Sequence, residues 1–328
     1  MGGSILGAKS IYFFLKTKVK KEVFFFDNLD ANLHLQFNKI KNLKNSCVII
    51  ISKSGNTLET ITNLDIIFSK SLLKNKLIFI TEMKDSSLMS VAEKYNAEII
   101  EYRDFIVGRY SILSEVGMVP AALMGLDIKK FGNLKKLIHN KYFVSSLIRN
   151  VASIYTFYKR NIKNSVILNY DSDLNDLCYW YQQLVAESLG KKSKGILPIV
   201  SQMPKDNHSV MQFYLDGPKN NFFTFFDVFN QKSEKIDKSN LLKSHSYLKN
   251  KSINEIILAQ RLATEKIFKK KKIPFRSFFV KKKNEQTLGE LFCFFILETI
   301  LLGRALKVNP FDQPSVELIK KETKKILI

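Results

Sequence analysis

The sequence of 328 residues contains few cysteines, prolines and glycines. Its three cysteines cannot all form disulfides, and each of them lies in an apolar segment. We therefore expect Cys47, Cys178 and Cys293 to be buried free thiols in a reducing compartment, and a disulfide-rich miniprotein is excluded. With only 7 Pro and 13 Gly, the chain has no obvious flexible linker. The roughly two domains expected from its length should therefore pack tightly.

A hydrophobic run long enough to cross a membrane is also missing. The longest strongly apolar stretch, at 291–303, contains Glu298 and is shorter than the ~20 residues that a bilayer requires. The first residues, MGGSILGAKS, lack the basic start and the apolar stretch of a secretory signal. We therefore expect a cytoplasmic protein that does not act at a membrane.

Acidic residues are scarce relative to basic ones, with 30 Asp and Glu against 52 Lys and Arg and a net charge of +22. Such an excess is compatible with nucleic acid, a membrane surface or an anionic small molecule as partner. The densest basic segment, 265–283, is interpreted as a solvated lysine-rich surface beside a buried strand, RSFFV. Zinc-finger spacing and RNP-type aromatic signatures are missing, so a nucleic-acid partner is not predicted.

Short β-branched or aromatic segments alternate with longer helical patterns along the chain. Predicted strands lie at 22–27, 47–52, 76–81, 97–102, 165–170, 195–201, 221–226 and 276–280, and predicted helices at 57–74, 85–95 and 173–188. The strands are almost continuously apolar, which predicts an α/β fold with parallel sheets covered on both faces. A helical stretch without strands at 131–160 separates two such units. We therefore predict a first domain at 1–130, a helical connection at 131–160 and a second domain at 161–328.

A hydroxyl-rich segment, SKSGNTLET at 52–60, directly follows the apolar strand CVIII. Its position at the carboxyl end of a parallel strand and at the start of a helix would place free N–H groups beside Ser52, Ser54 and Thr57. Such an arrangement can hold a phosphate group. It can equally be an ordinary capped turn, with Asn56 as the N-cap and Glu59 three residues further on. The GK[ST] ending of a P-loop is missing, which disfavours a nucleoside triphosphate.

Two further segments combine charged residues with a helix start or a helix face. Arg109 lies in GRYSILSEVG at 108–117, and a loop arginine is either solvated or paired with an acid that the sequence does not identify. Gln183 and Glu187 are four residues apart, so they share one face of the helix predicted at 173–188. Glu187 is therefore a candidate base at the edge of an apolar helix, or a surface glutamate.

Two more segments have both a functional and an ordinary interpretation. His208 follows a turn at Pro204 and precedes a short helix, which is a common place for a functional residue and also for a capping residue. Residues 309–321, NPFDQPSVELIKK, contain two prolines that frame a turn and then a helix that includes Lys320. A terminal amphipathic helix is the ordinary interpretation of this last segment.

Five segments occur in the order found in the glucose-6-phosphate isomerase family. They are SKSGNTLET, GRYS, Q-x-x-x-E-S-x-G-K, H-S-x-x-Q and FDQ-x-x-VE-x-x-K. The resemblance extends from Gly2-Gly3-Ser4 to Lys320 and is closer to bacterial members than to animal ones. It implies two sugar-isomerase domains, each a flavodoxin-like αβα sandwich, with the active site between them. It also implies interconversion of glucose 6-phosphate and fructose 6-phosphate without a metal or another cofactor.

Roles of individual residues follow from the resemblance. It implies that Glu187 transfers a proton between C1 and C2 through a cis-enediol and that Arg109 stabilises the enediolate. It implies that His208, from the neighbouring subunit of a homodimer, assists ring opening, and that Lys320 lies near the ring oxygen. Two further groups are implied: a phosphate loop, with Ser52, Lys53, Ser54 and Thr57, and sugar-contacting positions, with Gly3, Ser4 and Gln183.

Compared with the family, this sequence lacks the usual N-terminal region and the strand before Gly-Gly-Ser. The first domain is therefore expected to be truncated, with neighbouring strands more exposed. Two other functions stay open on the same fold. One is a bifunctional phosphoglucose and phosphomannose isomerase, and the other is a protein that binds sugar phosphates without catalysis.

Overall fold

The computed structural model describes residues 2–38, 40, 45–68, 76–132, 134–228, 233–237 and 242–328. Seven strands form two parallel sheets within this part of the chain. The first sheet contains β1 (Cys47–Ile51), β2 (Lys76–Thr81) and β3 (Glu98–Glu101) in that order. The second contains β4 (Asn164–Asn169), β5 (Leu197–Gln202), β6 (Asn221–Val228) and β7 (Phe275–Val280). Their order is β5-β4-β6-β7, so β5 and β7 are edge strands. The predicted α/β class with parallel sheets is confirmed.

Helices connect and cover the strands. They are α1 (Leu6–Phe14), α2 (Leu33–Asn38), α3 (Leu58–Phe68), α4 (Ser87–Lys94), α5 (Glu115–Leu123), α6 (Ile128–Phe131), α7 (Leu134–Ile138), α8 (Lys141–Lys159), α9 (Asn175–Leu189), α10 (Met211–Asp216), α11 (Ile253–Lys270), α12 (Glu285–Leu306) and α13 (Pro314–Leu327). The stretch predicted as helix at 131–160 contains the end of α6, then α7 and α8. Residues 69–74 of the helix predicted at 57–74 lie outside the described residues. The domain boundaries at 130 and 160 stay a prediction.

One predicted strand is wrong. Residues 22–27 have no strand pairing in the described structure, although their Val and Phe content is typical of strands. Their apolar side chains contact helices instead: the Phe25 ring lies 5.6 Å from that of Tyr12 in α1, and the Phe26 ring lies 6.0 Å from that of Phe37 in α2. Asp27 forms an ion pair of 2.8 Å with Lys9 in α1. The segment thus packs Phe25 and Phe26 against two helices as an extended cover, while Phe24 is exposed.

The largest core cluster joins α1, α9 and α12 to one face of the second sheet. Its centre includes Trp180 of α9, which is 1% exposed and meets the ring of Phe292 of α12 edge-on at 4.8 Å. Ile11 and Phe14 of α1 are also fully buried there. Truncating one such aromatic side chain typically costs about 3–5 kcal/mol. This core therefore fixes α1 and α9 relative to each other, and both helices lead into the site described below.

A buried ion pair stabilises the second half of the chain. Arg276 of β7 donates to both carboxylate oxygens of Glu298 in α12, and Glu298 is 0% exposed. The hydroxyl of Tyr181 donates to Glu298 over 3.1 Å and accepts from Arg276 over 3.1 Å. Burial, followed by the charge of Glu298, raises the pKa of the Tyr181 hydroxyl far above its ordinary value. Three elements are thereby connected through one polar cluster inside an apolar region.

The expectation of three buried thiols holds for two of them. Cys178 and Cys293 are buried and free, whereas Cys47 is exposed. Cys47 is the first residue of β1, an edge strand, so it has less cover than the residues further along the strand. Burial raises the pKa of the Cys178 thiol far above its ordinary value. A buried thiol of this kind is almost never ionised and is chemically inert.

The basic segment at 265–283 matches its sequence interpretation in part. Strand β7 coincides with the predicted RSFFV strand, and lysines before and after it, such as Lys269, Lys270 and Lys281, are exposed. The strand itself, predicted to be buried, is an edge strand that is mostly half-buried, and its Phe279 is 52% exposed. Among the described residues, none of the helices has the length and apolar character needed to cross a bilayer.

Candidate active site

Helix α9 brings Gln183 and Glu187 together on one face, as their spacing predicts. The side-chain amide of Gln183 donates from Nε2 to Oε2 of Glu187 over 2.9 Å. The other side of α9 is buried in the main core through Trp180 and Leu184. Glu187 lies near the end of the helix and its side chain is 22% exposed. The core thus holds a carboxylate at a partly open position.

Arg109 lies against this carboxylate. It belongs to a 3-10 segment, Gly108–Leu113, that precedes α5, and its side chain is 1% exposed. One terminal guanidinium nitrogen donates to Oε1 of Glu187 over 3.2 Å, and Nε donates to Oγ of Ser188 over 2.7 Å. The sequence left the partner of Arg109 open, and the structure identifies it as Glu187. A buried cation is stable only when it is paired and hydrogen-bonded in this way.

The segment between α12 and α13 completes the surroundings of Arg109. The second terminal nitrogen donates to the carbonyl oxygens of Pro310 over 2.6 Å and of Asp312 over 3.0 Å. The nitrogen that contacts Glu187 also donates to Oε1 of Gln313 over 3.3 Å. All three nitrogens of the guanidinium therefore have acceptors, and its charge is fixed in position.

The turn at Gly2–Ser4 lies on the backbone of the arginine segment. A Cβ atom at Gly3 would be 2.4 Å from the carbonyl carbon of Gly108 and 2.7 Å from the nitrogen of Arg109. Gly2 has a φ of +40°, and a Cβ atom there would be 2.6 Å from Nε2 of Gln183. Ser4 ends this turn and is half-buried. Glycine at position 3 is therefore required for the turn to approach the backbone of Gly108 and Arg109. Gly2 lies beside the side-chain amide of Gln183 with a backbone conformation that favours glycine.

The hydroxyl-rich segment forms a compact loop at the carboxyl end of β1. Ser52 is 1% exposed, and its hydroxyl lies 2.8 Å from the hydroxyl of Thr57. Its N–H donates to the carbonyl of Ile80, which extends the pairing with β2. Gly55 has a φ of +68°, a conformation that favours glycine. Ser54 is exposed at the tip of the loop.

The prediction that Asn56 is the N-cap of the helix containing Glu59 is wrong. Helix α3 begins at Leu58, and the carbonyl of Thr57 accepts the N–H of Ile61. The side chain of Asn56 instead accepts the N–H of Ser87 over 2.9 Å. Asn56 thus fastens the loop to the start of α4. The N–H groups of the first turn of α3 have no intrahelical partner, which makes this end suited to an anion.

Lys53 connects the loop with the segment before Arg109. Its ammonium group donates to the carbonyl of Asp104 over 2.6 Å and lies 3.7 Å from the carboxylate of Glu82. It also lies 5.9 Å from the ring centroid of Tyr102. A Cβ atom at Gly108 would lie 3.9 Å from the hydroxyl of Tyr102. Burial raises the pKa of this hydroxyl. Tyr102 therefore lies between Lys53 and the start of the arginine segment.

Comparison with known proteins decides the family of this chain. The family model for phosphoglucose isomerase matches residues 1–328. The chain belongs to the phosphoglucose isomerase family. A glucose-6-phosphate isomerase of Methanocaldococcus jannaschii is 33% identical, over 98% of this chain and 81% of the relative. One of Mycoplasmopsis pulmonis is also 33% identical, over 100% of this chain and 81% of the relative.

A solved structure supports the fold of this phosphoglucose isomerase family member. A glucose-6-phosphate isomerase from Chlamydia trachomatis superposes with a TM-score of 0.79 at 20% identity. The match covers 99% of this chain and 68% of the solved chain. The resemblance that the five segments indicated is thus confirmed at the level of family and fold.

Two residues that the family resemblance implies do not meet the others within one chain. His208 ends the 3-10 segment Lys205–His208 after β5, and it is exposed. Among the described residues, no hydrogen bond or ion pair links it to Glu187 or Arg109. Lys320 lies on α13, is 59% exposed and forms an ion pair of 2.6 Å with Glu317. Contacts between the described residues therefore join Glu187, Arg109, Gln183 and the turn at Gly2–Ser4, but not His208 or Lys320.

Sequence reasoning missed two residues that contact Arg109. Gln313 and Ser188 stand inside the quoted segments but were assigned no role. The Ser188 hydroxyl also lies 2.8 Å from the hydroxyl of Tyr110. Ser188 stands directly after Glu187, and this position is a signal that could have drawn attention to it. The contact of Gln313 joins residues 204 positions apart and has no local signal. Within the described part of the chain, no cluster of three or more His, Cys, Asp or Glu side chains could hold a metal ion.

Proposed function

We infer that this chain interconverts glucose 6-phosphate and fructose 6-phosphate, with Glu187 as the base. The carrying observation is the carboxylate of Glu187 held between the amide of Gln183 at 2.9 Å and the guanidinium of Arg109 at 3.2 Å. Both relatives named above carry the name glucose-6-phosphate isomerase, and each is covered over about four-fifths of its length. This reaction is a step of glycolysis and runs in the opposite direction in gluconeogenesis.

The chemistry requires a base that removes a proton from C2 and returns it to C1. We propose that Glu187 does this, since its side chain is partly exposed and its orientation is fixed by two partners. A positioned general base typically accelerates such a step about 10²–10⁴-fold. The side-chain oxygen Oε1 of Gln183 is buried without a hydrogen-bond partner among the described residues. This oxygen is available to accept a hydroxyl group of the sugar.

We propose that Arg109 stabilises the negative charge of the enediolate. Its guanidinium is fixed by five acceptors, so it needs no reorganisation when charge develops on the substrate. Removing one fixed donor of this type commonly reduces turnover about 10²–10³-fold. A cis-enediolate with charge on adjacent oxygens is therefore stabilised more than the neutral sugar, which is the requirement for catalysis.

The loop after β1 is proposed to bind the phosphate group. Ser52, Ser54 and Thr57 provide hydroxyl donors, the start of α3 provides N–H groups, and Lys53 provides a positive charge. The contact of Lys53 with the carbonyl of Asp104, five residues before Arg109, supports a position of this loop near the carboxylate. Binding energy from the phosphate, which does not react, would then position C1 and C2 against Glu187.

The assembly is proposed to be a homodimer in which His208 assists ring opening in the partner's site. This proposal is supported by the exposure of His208 on a segment that follows β5, an edge strand. Lys320 is proposed to act near the ring oxygen, together with Gly3 and Ser4 at the sugar. A sugar phosphate is the proposed substrate, a cytoplasmic location is proposed, and neither nucleic acid nor membrane is expected as partner.

The test is a coupled assay of fructose 6-phosphate conversion with wild-type protein and two variants. Glu187→Gln should lower kcat about 10³-fold or more while calorimetry still detects fructose 6-phosphate binding. Glu93→Gln, an exposed glutamate on α4, is the matched control and should retain wild-type turnover. Wild-type turnover in Glu187→Gln would refute the assigned base. If the wild-type protein binds fructose 6-phosphate but does not convert it, the chain is a sugar-phosphate sensor. If it converts mannose 6-phosphate as well as fructose 6-phosphate, it is the bifunctional enzyme.

A further inference from the structure

Residues 309–313, here called the closing segment, provide three of the five acceptors of Arg109. The segment has no helix or strand of its own between Leu306, the end of α12, and Pro314, the start of α13. A short stretch without ladder or helical hydrogen bonds depends on side chains for a fixed position. The environment of Arg109 therefore depends on whatever holds the closing segment in place.

Lys191 contacts this segment at two points. Its ammonium group donates to the carbonyl oxygen of Asn309 and forms an ion pair of 2.8 Å with the carboxylate of Asp312. The side chain of Lys191 is only 9% exposed, so it is not one of the freely solvated lysines of this basic chain. Its hydrogen bond lowers the pKa of the Asp312 carboxyl. One lysine thus joins the beginning of the closing segment to its fourth residue.

The backbone presents Lys191 from a tight two-residue turn. Lys191 and Lys194 exchange backbone hydrogen bonds of 3.1 and 2.9 Å. The two residues between them, Lys192 and Ser193, have φ values of +52° and +58°, which cost energy in residues other than glycine. The turn begins directly after α9, four residues beyond Glu187. It therefore links the closing segment to the helix of the proposed base.

We propose that Lys191 is a positioning residue of the isomerase site, which clamps the closing segment so that Arg109 keeps its carbonyl acceptors and its place beside Glu187. The proposal rests on the function proposed above. Without the clamp, the segment can move away and the buried guanidinium must reorient toward its remaining acceptors, Glu187 and Ser188. The enediolate then loses alignment with the positive charge, whereas the phosphate loop on the first sheet is unaffected.

The experiment compares steady-state kinetics of Lys191→Met, Lys191→Arg and Lys194→Met on fructose 6-phosphate. Lys194 is the matched control, since it lies in the same turn and donates to Leu306 over 3.0 Å, outside the closing segment. A misplacement of about 1 Å can reduce turnover about 10²-fold. We expect Lys191→Met to lower kcat about 10–100-fold, with KM within about twofold of the wild-type value. Lys191→Arg should retain most of the wild-type kcat, and Lys194→Met should resemble wild type in both constants.

Hydrogen exchange provides a second readout that does not require activity. The amides of the closing segment, other than Pro310, which has no N–H, should exchange faster in Lys191→Met than in wild type or Lys194→Met. Wild-type exchange in that variant, or faster exchange with unchanged kcat, would overturn the proposal. An inactive wild-type chain would refute the proposed function instead, and exchange alone would then decide the clamp. If Lys191→Met does not fold, Asp312→Ala should show smaller changes in the same direction, and wild-type behaviour there would overturn the proposal.

Discussion

Adding one methyl group at Gly3 should disable the proposed site without unfolding the chain. A Cβ atom at this position would lie 2.4 Å from the carbonyl carbon of Gly108, 2.6 Å from its oxygen and 2.7 Å from the nitrogen of Arg109. Non-bonded carbon atoms pack at about 3.5–4.0 Å, so Gly3→Ala requires a separation of roughly 1 Å. All three clashing atoms are backbone, and no side-chain rotation can relieve the overlap.

The expected cost divides between activity and stability. A shift of about 1 Å between the turn at Gly2–Ser4 and Arg109 is expected to reduce kcat/KM about 10²-fold, which corresponds to about 2.7 kcal/mol of transition-state stabilisation. The overpacking itself is expected to cost about 1–3 kcal/mol of unfolding free energy. A folded domain has about 5–15 kcal/mol available, so most molecules stay folded and the loss is observed in turnover.

The assay measures kcat/KM for fructose 6-phosphate together with the fluorescence of Trp180, the one tryptophan of the chain. Because Trp180 is buried in the main core, its emission reports whether that core is intact. Gly132→Ala is the control, since a Cβ atom there meets only the carbonyl oxygen of Lys129 at 3.7 Å. A Gly3→Ala protein with native fluorescence and wild-type kcat/KM would refute the reasoning that the turn abuts the site.

Two further predictions concern the core and the thiols. Glu298→Gln removes the buried counter-charge of Arg276 and should lower the free energy of unfolding by about 3–5 kcal/mol, measured by urea titration. A loss below about 1 kcal/mol would contradict a buried ion pair. At pH 8, the exposed Cys47 should be alkylated first. Cys178, whose thiol pKa is raised by burial, should react only after unfolding. Mass spectrometry of the labelled peptides measures both rates. Equal labelling rates in the native protein would contradict the second prediction.

Much of the fold follows from local sequence pattern. The strand predicted at 47–52 matches β1, because a continuous run of β-branched residues is typical of a strand in a parallel sheet that is covered on both faces. Residues 22–27 have a similar composition but form no strand, since their aromatic side chains find partners on α1 and α2. Composition predicts burial in both cases. It does not say whether the covering partner is a strand or a helix.

The candidate site shows the same division between local and distant information. The contact between Gln183 and Glu187 follows from a spacing of four residues on a helix. The contact between Arg109 and Glu187 joins residues 78 positions apart, and no local pattern specifies it. Only the order of the five segments, as a family resemblance, indicated that these two residues belong together. The acceptors at Pro310 and Gln313 depend on how the chain returns after α12, which the sequence does not specify.

The contacts of Arg109 have a consequence for the order in which the parts of the protein fold. This one side chain joins Glu187, 78 positions away, to Gln313, 204 positions away. Closing such long loops is slow relative to forming helices, because chain entropy must be lost before any contact is gained. The guanidinium acquires its last acceptors only when the chain beyond α12 has returned to it. In a refolding experiment, helical circular dichroism should therefore recover before catalytic competence.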